Sequence, residues 1–162
     1  MKIEDLIRHI AQYPSTALVL TATDLAAPGP TITFVNDAFC SMVGRPADEL
    51  VGRSPRMLQG KETNRSALTR LGNALRKGAA HRDVVVNYRA NGEPYYCGFE
   101  VYPIFNRCGA IECYAAFEAE MIRRRGRPSP GAFGRFSKLD KQAVLPGELS
   151  ADRSATALET SH

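Results

Sequence analysis

Residues 83–118 read DVVVNYRANGEPYYCGFEVYPIFNRCGAIECYAAFE, and this stretch decides the fold. β-Branched and aromatic residues dominate Asp83–Arg89, Tyr95–Pro103 and Ile111–Glu118, a composition that is typical of β-strands. Asn91–Gly92 is a strong hairpin signal between the first two segments, and Asn106–Gly109 predicts a turn between the second and third. The stretch therefore predicts three consecutive antiparallel strands.

The residues before this stretch predict two more strands and several short helices. Strands are expected over residues 17–23 and 31–35, on either side of a loop rich in Pro and Gly. Helices are expected from the capping residue Asn36 to Gly44, and over residues 63–77, where three leucines recur at helical spacing. Strands at both ends with helices between them predict an α+β fold, with a five-stranded antiparallel sheet and short helices on one face.

Both ends of the chain differ from this central domain, which we place at residues 15–120. Residues 1–14 predict an amphipathic helix, whose apolar stripe either covers its own domain or contacts a partner or second copy. That stripe consists of Ile3, Leu6, Ile7 and Ile10. Residues 121–162 are basic, rich in Pro, Gly and Ser, and without a sustained period, so they predict a flexible tail.

Length and charge restrict the function. The 162 residues suffice for one domain, and the net charge of +4 is uneven. Residues 1–120 contain 13 basic and 13 acidic side chains, whereas residues 121–162 contain 8 and 4. The neutral body predicts no nucleic acid partner. The tail arginines could bind phosphates of nucleic acid or of anionic lipid. A solvated basic linker is the simpler interpretation.

Other sequence features point to a soluble cytoplasmic protein without metal. No apolar run is long enough for a membrane-spanning helix, and the N-terminus does not resemble a secretory signal. The four cysteines form no C-x-x-C pair and are expected to be free thiols, so we predict no metal site. The motifs of common enzyme classes are absent from the sequence, and we expect no catalytic activity.

Three motifs together resemble the PAS domain family, in particular its LOV branch of flavin photoreceptors. FVNDAF at 34–39 is similar to the start of the first PAS helix, and NYRANGEP at 87–94 resembles the family's N-Y-R-K-D-G-x-P hairpin. GRSPRMLQG at 52–60 resembles the flavin signature G-R-N-C-R-F-L-Q-G. The resemblance covers residues 17–118 and implies the PAS fold with a ligand pocket.

Several flavin-contacting positions depart from the LOV pattern. Pro55 stands where the family has the cysteine that attacks the flavin, so the resemblance implies that adduct photochemistry is lost. Ser54 and Cys97 align with the family's flavin-contacting asparagines. Glu118 aligns with the glutamine that senses the flavin, and Gly72 with the second phosphate-binding arginine. We therefore expect no cofactor, and Cys97 does not align with a place from which it would replace the lost thiol.

Other positions match the family, so bound FMN stays an alternative. Arg56 is suited to a phosphate, and Gln59 and Asn87 to the edge of a ring. Haem is not expected, because none of His9, His81 and His162 is well placed as an axial ligand. The pocket positions that the resemblance implies are Thr21, Ser54, Pro55, Arg56, Leu58, Gln59, Asn87, Cys97, Phe99 and Glu118.

The resemblance implies a signalling function. In its architecture the chain resembles stand-alone, single-domain PAS signalling proteins of alphaproteobacteria. We expect a sensory and interaction module that regulates a partner such as a sensor histidine kinase, forms a homodimer, and is recruited to a cell pole by that partner. The alternative is a cysteine-less, flavin-binding blue-light or redox sensor.

Overall fold

A computed structural model describes residues 1–128 and 133–150 and contains an α+β fold. Four α-helices precede or interrupt the strands, and one 3₁₀ helix, Pro55–Leu58, lies between the third and fourth. Residues 146–150, at the end of the described part, are also helical. The α-helices are α1 (Ile3–Gln12), α2 (Asp37–Val43), α3 (Ala47–Leu50) and α4 (Arg65–Arg76). The strands are β1 (Ala17–Thr21), β2 (Ile32–Val35), β3 (His81–Tyr88), β4 (Pro94–Phe105), β5 (Ile111–Arg123) and β6 (Phe136–Lys138).

The five longer strands form an antiparallel sheet in the order β2-β1-β5-β4-β3. The hairpin between β3 and β4 turns at Asn91–Gly92 as predicted, and Gly92 has a φ of 85°, in the left-handed region that glycine adopts without strain. The predicted α+β fold, with short helices beside an antiparallel sheet, is confirmed. A short sixth strand, β6, pairs with the far end of β5 and extends the sheet beyond the prediction.

One face of the sheet, which we call the inner face, packs against the helices. Register places Phe99 opposite Glu118, and alternate residues of each strand share this face. Asn36 accepts a hydrogen bond from the Phe39 amide at 2.9 Å, and this contact caps the start of α2 as predicted. Phe39 is fully buried with Leu50 and Leu58 in the core between helices and sheet.

The opposite, outer face is covered by the two ends of the chain. Leu6 of α1 is buried on it together with Phe117 of β5. Ala143 and Leu145 are buried on the same face, and the side chain of Thr16 accepts from the Val144 amide at 2.8 Å. Both faces of the sheet are therefore covered by this chain itself.

The C-terminal part differs from the predicted flexible tail. β5 continues to Arg123, β6 pairs with it, and residues 133–149 pack along the sheet. The apolar residues of this segment do not recur at a helix or strand period. Pairing of β6 with β5 and burial against the distant outer face hold the segment in place. The flexibility predicted for residues 129–132 and 151–162 falls outside the described residues. Within residues 1–128 and 133–150, no helix has the length and apolar character needed to cross a bilayer.

Candidate functional site

A cavity of about 420 Å³ lies between the inner face of the sheet, the 3₁₀ helix and α4. This volume falls within the range of roughly 300–1,000 Å³ that is common for small-molecule sites. Leucines of α4 and aliphatic residues of β1, β3 and β4 form most of its wall. The polar lining residues include Asn87 and Glu118 on the sheet and three arginines, Arg56, Arg65 and Arg76. The arrangement suits a ligand with an apolar body and polar ends.

The 3₁₀ helix places Pro55, Arg56 and Leu58 on the cavity wall. Ser54 accepts from the Arg56 amide at 3.3 Å and so caps this helix, and proline is favourable at the first position because its missing amide would have no partner there. The Arg56 guanidinium donates to the carbonyl oxygens of Gly29 at 2.5 Å and Leu25 at 3.1 Å. Arg56 therefore ties the loop after β1 to the cavity wall.

Glu118 forms the polar end of the cavity on β5. Glu118 as a whole is 9% exposed, and the Cys97 thiol donates to its Oε2 at 3.2 Å. Burial raises the pKa of Glu118 to about 7, because the cavity disfavours the charged form, while the thiol contact opposes this rise. Burial likewise raises the pKa of the Cys97 thiol well above its usual value. Cys97 is thus a protonated packing residue behind Glu118.

The arginines line another part of the cavity. Arg76, one helical turn after Gly72, folds back over it, so a Cβ on Gly72 would lie 3.4 Å from both terminal nitrogens of the Arg76 guanidinium. Arg65 donates to the Gln59 side chain at 2.6 Å, and both residues line the cavity. Arg70 points elsewhere and pairs with Asp83 at 2.8 Å. Arg76 therefore occupies the space that an arginine at position 72 would need.

Eight of the ten predicted pocket positions line the cavity. They are Thr21, Pro55, Arg56, Leu58, Gln59, Asn87, Phe99 and Glu118. Ser54 and Cys97 are not among its lining residues, because Ser54 caps the 3₁₀ helix and Cys97 lies behind Glu118. The sequence prediction missed Arg65 and Arg76 as wall residues. The four-residue spacing from Gly72 to Arg76 was the available signal for the second of them.

The sequence left open whether the apolar stripe of α1 covers its own domain or contacts a partner, and the structure divides the stripe between these two roles. Leu6 is buried on its own sheet and Ile10 packs against the same cluster, so these two interface candidates cover their own domain. Ile3 and Ile7 are 37% and 59% exposed and face away from the sheet. Ile3 and Ile7 are thus the more accessible half of the predicted interface.

The histidines and other metal-binding side chains form no such site in the described part of the chain. His9 is buried on the outer face, where its Nε2 contacts the Val144 carbonyl at 2.7 Å, and burial lowers its pKa. His81 contacts Asp83 at 3.1 Å, and His162 lies outside the described residues. Among residues 1–128 and 133–150 no cluster of three metal-ligating side chains occurs.

A family model described as a PAS domain matches residues 16–119. The chain belongs to the PAS domain family. The match coincides with the sheet, the helices on its inner face and the cavity, and excludes α1 and the C-terminal segment on the outer face. The cavity described above is thus the interior of the PAS domain itself.

LOV proteins are among the relatives of this PAS domain. The protein TWIN LOV 1 of Arabidopsis thaliana is 31% identical over 84% of this chain and 31% of its own length. The blue-light-activated histidine kinase 2 of Erythrobacter litoralis is 29% identical over 76% of this chain and 34% of its own length. The PAS domain spans about a third of these relatives, so it corresponds to one part of each.

Solved structures show the same fold. The LOV domain of the EL346 blue-light-activated histidine kinase from Erythrobacter litoralis superposes with a TM-score of 0.60 at 26% identity, covering 65% of this chain and 94% of that one. A LOV domain studied with a flavin analogue covers 96% of both chains, with a TM-score of 0.65 at 18% identity. The PAS domain is therefore LOV-like in fold and related to light-activated kinases.

Proposed function

We propose that this PAS domain is a non-catalytic sensory and interaction module that regulates a signalling partner, such as a sensor histidine kinase, without adduct photochemistry. The observation that carries the proposal is Pro55 in the wall of an open cavity, at the position where the LOV resemblance implies the reactive cysteine. Proline has no nucleophile, whereas the cavity keeps room for a ligand. The domain would act in the cytoplasm and reach a cell pole through its partner.

The accessible part of α1 supports a partner surface there. The outer face of the sheet is covered by Leu6 and by the C-terminal segment with Leu145. Ile3 and Ile7 lie one turn apart on the other side of α1 and expose their side chains. Contact with a kinase or with a second copy would bury these two aliphatic groups, which water solvates poorly.

The test is reconstitution with histidine kinases encoded beside the protein. We expect the purified chain to change the autophosphorylation rate of one such kinase, and Ile3→Ser with Ile7→Ser to abolish the effect. A matched control, Val51→Ser with Phe34→Ser, also removes two exposed apolar side chains, and should leave the effect intact. Sedimentation of both variants reports whether a homodimer uses the same surface. Two results would contradict the proposal: no kinase changes its autophosphorylation rate with the parent protein, or the two double variants have the same effect on the kinase.

Flavin binding without an adduct is the second candidate, and the position of Arg76 favours it. Its guanidinium fills the space above Gly72, where the resemblance implies a phosphate-binding arginine, and Arg65 lies on the same wall. Gln59 and Asn87 would hold the polar edge of the ring. Bound FMN would supply light absorption and one-electron redox chemistry, and Tyr114 in the cavity wall would serve as the electron donor.

An absorption spectrum of the purified protein, before and after incubation with FMN, tests this candidate. If FMN binds, Arg76→Ala should weaken its binding about tenfold or more, since a charged hydrogen bond to the phosphate is lost. Riboflavin, which has no phosphate, should bind both proteins equally. Arg70→Ala on the same helix is the control, because Arg70 pairs with Asp83 and does not line the cavity. If the protein remains colourless after incubation with FMN and removal of the free flavin, flavin binding is excluded. The first candidate function is not affected by that result.

A further inference from the structure

The end of the β5–β6 hairpin is a second surface with a chemical character of its own, and it goes beyond the proposed function. Five arginines are concentrated there, and we call them the hairpin arginines: Arg123, Arg124, Arg125, Arg127 and Arg135. All five are exposed. Among the residues that the structure describes, none of them forms an ion pair with a carboxylate. Most of the tail's basic side chains therefore lie within residues 123–135.

Strand pairing makes this concentration unfavourable for the isolated protein. The Arg124 amide donates to the Arg135 carbonyl at 2.7 Å, in continuation of the register that pairs Arg123 with Phe136. The two arginines are thus cross-strand neighbours. Like charges in that position destabilise a hairpin, and an external anion removes the repulsion. The hairpin arginines are arranged for an anionic counterpart outside the chain.

Apolar side chains accompany the arginines. Ile122 of β5 precedes Arg124 by two residues and is 46% exposed, and Leu139, the first residue after β6, is 55% exposed. The Leu139 amide donates to the Glu120 carbonyl at 2.9 Å and so continues the pairing of the two strands. Residues two apart on a strand share a face, so Ile122, Arg124, Arg135 and Leu139 form one surface, which we call the basic–apolar face. The neighbouring carboxylates are already engaged. Glu120 is bound by Arg89 at 2.5 Å, and Asp140 accepts from the Gln142 amide at 2.8 Å.

We propose that the basic–apolar face docks this protein peripherally on an anionic lipid surface. The guanidinium groups contact headgroup phosphates and carboxylates, to which their planar fork is suited, while Ile122 and Leu139 enter the boundary with the acyl chains. A nucleic acid backbone offers no apolar partner for those two side chains, and the neutral body of the domain adds no basic groove. Lipid therefore satisfies both components of the face.

Sedimentation with vesicles tests the proposal on the full chain. The vesicles are phosphatidylcholine alone, or phosphatidylcholine with about one-third phosphatidylserine. We expect binding to the anionic vesicles only, and its loss as salt rises to about 1 M, where the screening length shrinks to about 3 Å. Each arginine near an anionic leaflet strengthens binding about fivefold, so the triple variant Arg124→Gln, Arg127→Gln, Arg135→Gln should bind about a hundredfold more weakly.

Two further variants separate the components. Ile122→Thr with Leu139→Gln keeps every charge and should weaken vesicle binding about tenfold, because two aliphatic groups no longer leave water. Arg53→Gln, Lys77→Gln and Arg107→Gln remove the same charge from exposed sites elsewhere and should bind within twofold or so of the parent. Circular dichroism of each variant checks that a loss of binding is not a loss of folding.

Three results would overturn the proposal. The first is that the protein does not bind anionic vesicles at low salt. The second is that the charge-matched control and the triple arginine variant lose the same amount of vesicle affinity. The third is that the Ile122 and Leu139 substitutions leave vesicle affinity unchanged. Tighter binding to a duplex oligonucleotide than to the vesicles would assign the hairpin arginines to nucleic acid instead. None of these results bears on the kinase reconstitution, which uses Ile3 and Ile7 of α1.

Discussion

Replacing Glu118 by glutamine tests the electrostatics of the cavity. Burial raises the pKa of Glu118 from 4.5 to about 7 in the folded protein. A difference of about 2.5 pH units at about 1.4 kcal/mol per unit corresponds to about 3 kcal/mol. Glutamine has nearly the same volume and carries no charge, so the variant isolates the titration of this one carboxyl.

The direction follows from proton binding. Between pH 4.5 and about 7 the folded state holds the Glu118 proton more tightly than the unfolded state. The free energy of unfolding therefore falls as the pH rises through this window, and the loss is complete above pH 7 or so. His9 acts in the opposite direction, because burial lowers its pKa and the folded state favours its neutral form. That contribution is common to both proteins and cancels in the comparison.

Urea unfolding at about pH 4 and about pH 8 is the assay. We expect Glu118→Gln to match the parent at the lower pH and to be more stable at the higher pH, by an amount that approaches 3 kcal/mol. Glu62→Gln, at an exposed glutamate, is the control and should change neither value by more than about 0.5 kcal/mol. If the difference between Glu118→Gln and the parent is the same at both pH values, Glu118 is not protonated in the folded state and the reasoning is refuted.

Two stability measurements examine other parts of the structure. Leu145→Ala should lower the free energy of unfolding by about 2–4 kcal/mol because Leu145 is fully buried, whereas Leu139→Ala, at an exposed site nearby, should cost less than about 0.5 kcal/mol; equal effects in urea unfolding would show that the C-terminal segment does not pack on the sheet. Gly72→Ala should raise the free energy of unfolding by about 0.5–1 kcal/mol, since alanine favours the helix and the new Cβ contacts only the movable end of the Arg76 side chain. A loss of stability instead would mean that the Arg76 side chain is held rigidly above Gly72.

The fold was predictable from the sequence where local signals agree with tertiary packing. The Asn91–Gly92 turn and the strands beside it carry both the conformational preference and the pattern of burial, and the structure confirms them. Asn36 and Gly44 likewise mark both ends of α2. The C-terminal segment lacks such agreement. Its order depends on Ala143 and Leu145 meeting the outer face more than twenty residues away along the chain, and no local window contains that information.

The sequence placed eight of the ten predicted pocket positions on the cavity wall, and their binding role stays a prediction. Side-chain direction was not predictable. Arg70 and Arg76 both lie near Gly72 in sequence, yet Asp83 on β3 holds the first and the space above Gly72 admits the second. Similarly, alternation on β4 places Cys97 on the inner face but does not reveal that Glu118 separates it from the cavity. The direction of each of these side chains depends on contacts with residues of other helices and strands.

β5 connects the cavity to the outer face, because consecutive residues of a strand point in opposite directions. Glu118 faces the cavity, while Phe117 packs against His9 with ring centroids 4.7 Å apart, beneath the segment around Val144. A charge on Glu118 should therefore loosen the outer contacts if the strand shifts toward water. Hydrogen exchange near pH 8 measures this directly at the amides of Val144 and Gly147, which donate to Thr16 Oγ1 and to Glu100 Oε1.

We expect these two amides to exchange faster in the parent than in Glu118→Gln, and by a larger factor than the amides of β4, a central strand whose exchange follows the difference in global stability. Such an excess would mean that the state of the cavity biases the docking of the C-terminal segment, and with it the surface beside α1 and the β5–β6 hairpin. Equal factors at all these amides would show that the two faces of the sheet are energetically independent, so that a ligand in the cavity has no route to the partner surface through β5.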